Sequence, residues 1–386
     1  MSGQDFLRRL PRTGFSLGRR EAIQQRLHID FLLLFLLLAL TAVGMSVLYS
    51  ASGESMVTLR RQGTFFLIAY AAMFTVAQIP VGFMRRMAPW AYAAGVILLI
   101  LVLVVGVGAK GAQRWLSLGG FRFQPSEIMK LAMPVMIAAY LSKRFLPPGI
   151  KHVFLALLLI AIPTALIIDQ PDLGTSILVA VSGIVVLFFA GLRWGYIILA
   201  GIIFAASLWP IWHFMMHDYQ RQRVLTLLNP EADRLGAGWN IIQSKTAIGS
   251  GGLSGKGWLE GTQSRLDFLP EGHTDFIIAV MAEEFGLLGV LMLLGVYILI
   301  IMRGMMIALN AQDSFGRLLA ASITTTFFVY VFVNMGMVSG LLPVVGVPLP
   351  LISQGGTAIV TLMAGFGILM AIATERKRVM TPQKNK

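Results

Sequence analysis

The stretch LLAASITTTFFVYVFVNMGMVSGLLPVVGVPLPLISQGGTAIVTLMAGFGILMAIAT, Leu318–Thr374, runs for 57 residues without a charged side chain. A helix needs roughly 20 residues to cross a bilayer. The stretch is too long for one crossing and reads as two, divided by the Gly/Pro-rich GLLPVVGVPLPLISQGG (Gly340–Gly356). The rest of the chain agrees: of 386 residues, 56% are hydrophobic and only 13% charged, with a mean hydropathy of +0.77. A soluble domain carries about 25% charged residues, so this much apolar surface implies a polytopic membrane protein.

Working outward, eight further spans are expected. They are Phe31–Gly53, Gln62–Met84, Met87–Ala109, a fourth starting near Pro125, His152–Ile168, Leu173–Leu192, Trp194–His217 and Asp275–Met302. The fourth has only the 12 apolar residues Leu131–Ser142, so it must carry Glu127 and Lys130 with it. The expected fold is all-α with about ten transmembrane helices and one long loop, Asp218–Thr274, between spans seven and eight. Residues 1–28 form a basic tail, 29–374 a single transmembrane domain and 375–386 a second tail. The first span starts too late for a cleavable signal peptide and reads as a retained helix.

An even count puts both ends on one side, and Lys/Arg bias says which. The side holding the termini has 19 Lys/Arg and 5 acids; the other side, with the membrane, has 12 and 13. Both termini are therefore expected in the cytoplasm. The net charge of +13 is a topological signal with attraction to anionic headgroups, and it does not imply nucleic acid. The absence of cysteine removes disulfides, thiolate metal sites and cysteine nucleophiles.

An ionisable group in a span is a functional candidate by default. Glu127 and Lys130, Asp169 and Asp172, and Asp275 all fall at extracytoplasmic span ends, the same side as the long loop. Glu127 and Lys130 share a helix face. They read as a structural ion pair, as the polar wall of a cavity facing an anionic substrate, or as both. Asp172 follows a tight turn, with Pro171 suited to the first helical position, and reads as an acid at a helix N-terminus. Asp275 follows Thr274, a plausible N-cap, and is either a first-turn acid or a general base at a cavity mouth. Glu271 is close enough in sequence to raise its basicity, and His273 is the second candidate base. On a straight helix Glu283 would lie about 12 Å deeper than Asp275.

In the long loop, Asp218–Arg223 reads as a helix extension carrying Arg221 and Arg223, and Trp239–Ile248 as a short interfacial amphipathic helix. The following Gly/Ser run, flanked by Lys245 and Lys256, is either flexible or a phosphate cradle. Neither GxxxxGK[ST] nor a strand-linked GxGxxG occurs, and no metal-ligand spacing or nucleophile elbow is present. These features point to a substrate anionic at one end and greasy at the other, a lipid-linked headgroup before a transported solute.

Five stretches resemble the SEDS family of RodA, FtsW and SpoVE. They are KGAQRWLSLGGFRFQPSEIMKL (Lys110–Leu131), DQPDLGT (Asp169–Thr175), RVLTLLNPEAD (Arg223–Asp233), GWNIIQSKTAIGSGGLSGKGWLEGTQSRLDFLPEGHTDFIIAVMAEEFG (Gly238–Gly286) and NMGMVSGLLPVVGVPLPLISQGG (Asn334–Gly356). The VVGVPLPL wording favours the elongation branch over the division branch. One departure is Gln354, where the family pattern has Tyr. The resemblance implies a peptidoglycan glycosyltransferase of the bacterial cytoplasmic membrane that polymerises lipid II during elongation. It also implies a class B penicillin-binding protein and other elongation proteins as partners.

By the same resemblance the essential aspartate falls on Asp275, the Glu and Lys of the QPSEIMK motif on Glu127 and Lys130, the acid after the span-five turn on Asp172, and a basic position on Arg61. An α-linked donor and a β-1,4 product require one inverting displacement, so Asp275 would act as general base with no covalent intermediate. The leaving diphosphate needs positive charge or a divalent cation. Lys130 and Arg61 lead the candidates, followed by Lys110, Arg114, Arg221, Arg223 and Lys256, and the sequence specifies no cation ligands. Two rival readings are a lipid II flippase, for which Glu283 and Glu284 are the main support, and a scaffold that does not need Asp275.

Overall fold

Asp30 opens the first helix by accepting a hydrogen bond from Leu33 N at 2.9 Å. The same carboxylate pairs with Arg303 at 2.5 Å, so the first helix starts where a later one is ending. The computed structural model describes residues 27–375 except 110–111, 119–120, 217, 234–236 and 263–271. In chain order its helices are α1 (Phe31–Ala51), α2 (Met56–Ala77), α3 (Val81–Val105), α4 (Pro125–Leu141), α5 (Ile150–Ile168), α6 (Leu173–Phe189), α7 (Trp194–Pro210), α8 (Asp218–Leu228), α9 (Ala237–Gly251), α10 (Ile277–Asn310), α11 (Ser314–Val338) and α12 (Thr357–Ala373).

Among the described residues six helices are long and apolar enough to cross a membrane. They are α1, α3, α5, α7 with its continuation to Phe214, α10 and α11; α6 and α12 are apolar but shorter. The all-α expectation needs one correction. Between α3 and α4 the chain forms a small antiparallel sheet of β1 (Val107–Ala109), β2 (Ala112–Leu118) and β3 (Phe121–Phe123). Leu116 pairs with Phe123 and Leu118 with Phe121. The alternation in Arg114–Leu118 and the Gly119–Gly120 pair were hairpin signals that the apolar flanks obscured.

Span eight departs most from expectation. Gly286 adopts φ 64°, ψ −165° and breaks α10. Its first part, Ile277–Phe285, is apolar on nearly every side and its residues up to Glu284 are all buried, as an all-round hydrophobic helix must be. From the break onward α10 runs along α1: Ser50 Oγ donates to Glu284 at one end, and Asp30 meets Arg303 at the other. Along α1, the rise from Asp30 to Ser50 at 1.5 Å per residue is about 30 Å, matching the roughly 30 Å of a hydrocarbon core. Glu283 and Glu284 therefore sit level with the Ser50 end of the bundle, not deep within it. A straight-helix projection places them wrongly because the helix is not straight.

The Gly/Ser run after α9 fills this break. Lys256 N and Gly257 N donate to the carbonyls of Glu283 and Glu284 at 3.0 Å each, and Leu287 N and Leu288 N donate to Gly252 O and Leu253 O at 3.0 and 3.1 Å. The backbone groups freed at Gly286 thus find partners, as buried polar groups require. Two amides that a phosphate cradle would use, those of Lys256 and Gly257, are thereby engaged with α10. The helix expected at Trp239–Ile248 exists as α9, but Ile241, Ser244 and Ala247 face protein rather than a membrane surface, and Ser244 Oγ donates to Val338 O at 2.9 Å. Arg221 and Arg223 lie on α8, separated from α7 by a π-helical turn at Ile211–Met215.

Gly255 has φ +78°, and a Cβ there would collide with Glu284 O. Gly255→Ala is expected to lower the melting temperature in detergent, the strained backbone alone costing about 1–3 kcal/mol. Gly249→Ala, in helix with open space around it, should leave stability equal or higher. Equal melting of both variants would contradict the interlock.

Candidate active site

The Gly/Pro-rich segment after α11 enters the bundle instead of crossing outside it. Leu349, Leu351 and Ile352 are buried, and Leu351–Ile352 backbone packs on Gly44 of α1 so closely that a Cβ would not fit. Irregular backbone at this depth needs partners within the protein. Tyr297 Oη donates to Pro350 O at 2.7 Å, Asn334 Nδ2 to Val347 O at 2.7 Å and Gln62 Nε2 to Ser353 O at 3.2 Å. Gln62 lies six residues into α2, about 9 Å from its start, so this loop is recessed below the helix ends.

The loop holds the turn that carries Asp275. Gln354 N donates to His273 O at 3.0 Å, Ser353 Oγ to Thr274 O at 2.5 Å and Asn334 Nδ2 to Asp275 O at 2.8 Å. Three consecutive carbonyls are thereby engaged, and the helix starts only at Ile277, with Phe276 at the N-cap position. Thr274 is not the cap. The Asp275 carboxylate faces Gly346, where a Cβ would lie 3.6 Å from its Oδ2. The positive φ of Gly346, +75°, is one that a side chain rarely tolerates. His273 and Asp275 are both half-buried; Glu271 lies outside the described residues.

On the other side of Val345–Gly346 is the start of α6, where a Cβ on Gly174 would lie 2.7 Å from Val345 O. Asp172 caps this helix, accepting from Thr175 N at 3.3 Å; Leu173 rather than Pro171 takes the first helical position. Asp172 also accepts from Gln124 Nε2 at 2.8 Å and faces Arg114 at 3.9 Å. Arg114 bonds the carbonyls of Gln170 and Pro171 as well. One turn into α4, Lys130 and Glu127 pair at 2.7 Å with both side chains 8% exposed. Lys130 Nζ stands 5.3 Å from the centre of the Tyr330 ring, within cation–π range. Lys130, Tyr330 and Thr326 line a small cavity between α4, α11 and α12. Thr326 Oγ1 in this cavity, and Glu127 Oε2 and Ser126 Oγ on α4, are buried without hydrogen-bond partners among the described residues.

The structure thus brings Glu127, Lys130, Asp172 and Arg114 together and sets Asp275 and His273 across the same loop. It does not bring the other cations there. Arg61 is exposed on α2 beside the buried Gln62. Arg221 bonds Trp212 O and His213 O at 2.9 Å each, and Arg223 is half-buried on the same helix. Lys256 pairs at 2.6 Å with Glu283, which also accepts from Thr262 N at 2.9 Å. Lys110 lies outside the described residues. No group of three His, Cys, Asp or Glu side chains converges as a cation site among the described residues. Beside this end of the bundle an apolar groove of about 480 Å³ runs between α1 and α10, with Trp258 at its head and Leu40, Val47, Met292 and Val296 along it.

Gln62, Ser353, Tyr330 and Asn334 were not singled out in the sequence because none is charged in this setting. Tyr330 and Asn334 are spaced four apart in the uncharged stretch of α11, and this shared face was the available signal.

The FtsW/RodA/SpoVE family, described as cell cycle protein, matches residues 27–378. The chain is 54% identical over 358 residues to the peptidoglycan glycosyltransferase MrdB of Escherichia coli, covering 93% of this chain and 97% of that one. It is 38% identical to a probable peptidoglycan glycosyltransferase FtsW of Geobacter metallireducens, covering 90% and 95%. Among solved structures it resembles a chain of a peptidoglycan synthase complex that coordinates polymerization and crosslinking (TM-score 0.80, 33% identity, 90% and 98% covered). It also resembles the rod shape determining protein RodA of Thermus thermophilus (TM-score 0.69, 30% identity, 90% and 98% covered).

Removing one partner of a buried ion pair costs about 3–5 kcal/mol, whereas neutralising both costs far less. Lys130→Met is therefore expected to melt well below wild type, and Lys130→Met with Glu127→Gln to recover much of the loss. A double variant melting no higher than the single would contradict a buried, mutually dependent pair.

Proposed function

The chain belongs to the FtsW/RodA/SpoVE family, and from that membership we infer its chemistry: it is a membrane-embedded peptidoglycan glycosyltransferase. It polymerises lipid II, the undecaprenyl-diphosphate-linked disaccharide peptide, into glycan strands during elongation. Asp275 is the general base. It takes the proton from the acceptor 4-hydroxyl as that oxygen bonds to the donor C1, and the C1–phosphate bond breaks with the electron pair leaving on the diphosphate. One displacement inverts the donor's α-linkage to β, with no enzyme-bound sugar.

The observation that carries the residue assignment is the recessed Asp275 carboxylate against side-chain-free Gly346, with the Lys130 and Arg114 cations on the far side of the same loop. A reacting sugar needs space beside the base and positive charge near the leaving group. Lys130 and Arg114 are the cations assigned to the diphosphate; Arg61 stands apart from them, exposed on α2 beside the loop-bonding Gln62. The apolar groove between α1 and α10 suits a polyprenyl tail. Asp172 and Glu127 orient Arg114 and Lys130. Lys256 and Arg221 serve structure through their present partners.

Ten spans follow if α2 and α4, which carry charges near their starts, cross with the eight apolar helices. The 19-to-12 excess of Lys/Arg then puts both termini in the cytoplasm and the site on the periplasmic face of the inner membrane. A class B penicillin-binding protein is the partner, as the synthase complex suggests. The flippase reading loses its support, since Glu283 and Glu284 lie level with the Ser50 end of α1 and mark no route across the membrane.

Purified protein supplied with labelled lipid II should make long glycan. Asp275→Asn should lower the rate by roughly 10²- to 10⁴-fold, the usual contribution of a general base, with unchanged melting. Polymer at the wild-type rate from Asp275→Asn would reject the assignment.

A further inference from the structure

Asn334 is fully buried in α11 with 0% exposure. Its Nδ2 donates to two carbonyls at once, Asp275 O at 2.8 Å and Val347 O at 2.7 Å. Two acceptors fix which end of the amide is nitrogen, since the carboxamide oxygen cannot donate. One side chain thus joins the turn bearing the carboxylate to the loop residue next to Gly346, the surface that carboxylate faces. Its Oδ1 is buried without a hydrogen-bond partner among the described residues, a state that costs about 1–3 kcal/mol. Leu or Met would pack the same volume without that cost, but neither could clamp two carbonyls. On the same face of α11, four residues back, Tyr330 touches Lys130. One helix face therefore contacts both the main chain of Asp275 and the Lys130 ammonium.

We propose that Asn334 is a positioning residue for the polymerisation reaction: its carboxamide sets the Asp275 carboxylate at a fixed height over Gly346, and the Tyr330–Asn334 face keeps that carboxylate in register with Lys130. The proposal rests on Asp275 being the base. Asn334 does not touch substrate; it acts through the main chain of Asp275. Misplacing a reacting group by about 1 Å can cost on the order of 100-fold in rate, whereas substrate affinity, set by the diphosphate and tail, is unaffected.

Asn334→Asp keeps the shape and leaves at most one O–H donor for the two carbonyls; Asn334→Leu loses both polar ends. Both are expected to lower kcat for lipid II polymerisation roughly 10- to 100-fold, with KM within about threefold of wild type. Unchanged kcat in both variants, or kcat, KM and melting temperature falling together, would overturn the proposal. The chain contains no cysteine, so Asp275→Cys introduces a single thiol whose alkylation rate reports its setting without activity. Adding Asn334→Leu should change that rate several-fold; an identical rate would also overturn the proposal. Asp275→Asn run alongside separates the two ideas. If it is inactive while the Asn334 variants are normal, only the positioning role falls. If it is fully active, the base assignment falls and the positioning role with it.

Discussion

Within Gly340–Gly356 the backbone from Val347 to Ser353 lies inside the helical bundle, with Val347 and Leu349–Ser353 buried, and its polar groups need partners within the protein. Tyr297, Asn334 and Gln62 each give a side-chain donor to one of its carbonyls. Ser353 accepts from Leu349 N at 2.8 Å within the loop and donates out of it to Thr274. These bonds explain why Gly44 and Gly174, on two different helices, must lack side chains where the loop passes. They also explain why His273–Asp275 is not the start of a helix. The position of the candidate base is a consequence of how an irregular segment is accommodated at depth.

Charge is tolerated in the bundle only where it is paired or lies near an end. Lys130 and Glu127 satisfy one another one turn into α4. Glu283 is enclosed by Lys256 and Thr262, and Glu284 takes a hydrogen bond from Ser50. At the opposite end the charges are simpler: Asp30 with Arg303 and Asp313 with Arg85 at 3.4 Å, each acid also capping a helix. The chemically furnished end therefore differs in kind from the other, where ion pairs only fasten helices together.

Much of this was legible in the sequence. The six long apolar helices, the Glu127–Lys130 pair, Asp172 as a helix-start acid and the family itself followed from apolar run lengths, i,i+3 spacing and motif wording. Four features did not. The break at Gly286 was hidden because Ile277–Asn310 is apolar apart from Glu283, Glu284, Arg303 and Asn310, and periodicity cannot reveal a positive φ in such a run. The depth of Glu283 was then misjudged by extrapolating a straight helix. The buried amides of Gln62 and Asn334 escaped because a search for ionisable groups passes over neutral donors, although an amide inside a span must bond something. The β-hairpin at Ala112–Phe123 was masked in the same way by its length, too short to compete with flanking helices.

A structure with a bound non-hydrolysable lipid-linked disaccharide diphosphate tests the central claim most directly. An acceptor 4-hydroxyl within hydrogen-bond distance of Asp275, over Gly346, with the diphosphate toward Lys130 and Arg114, is the expected result. A ligand whose sugars and diphosphate lie away from the Gly340–Gly356 loop, against Arg221 and Arg223 on α8 for instance, would contradict it.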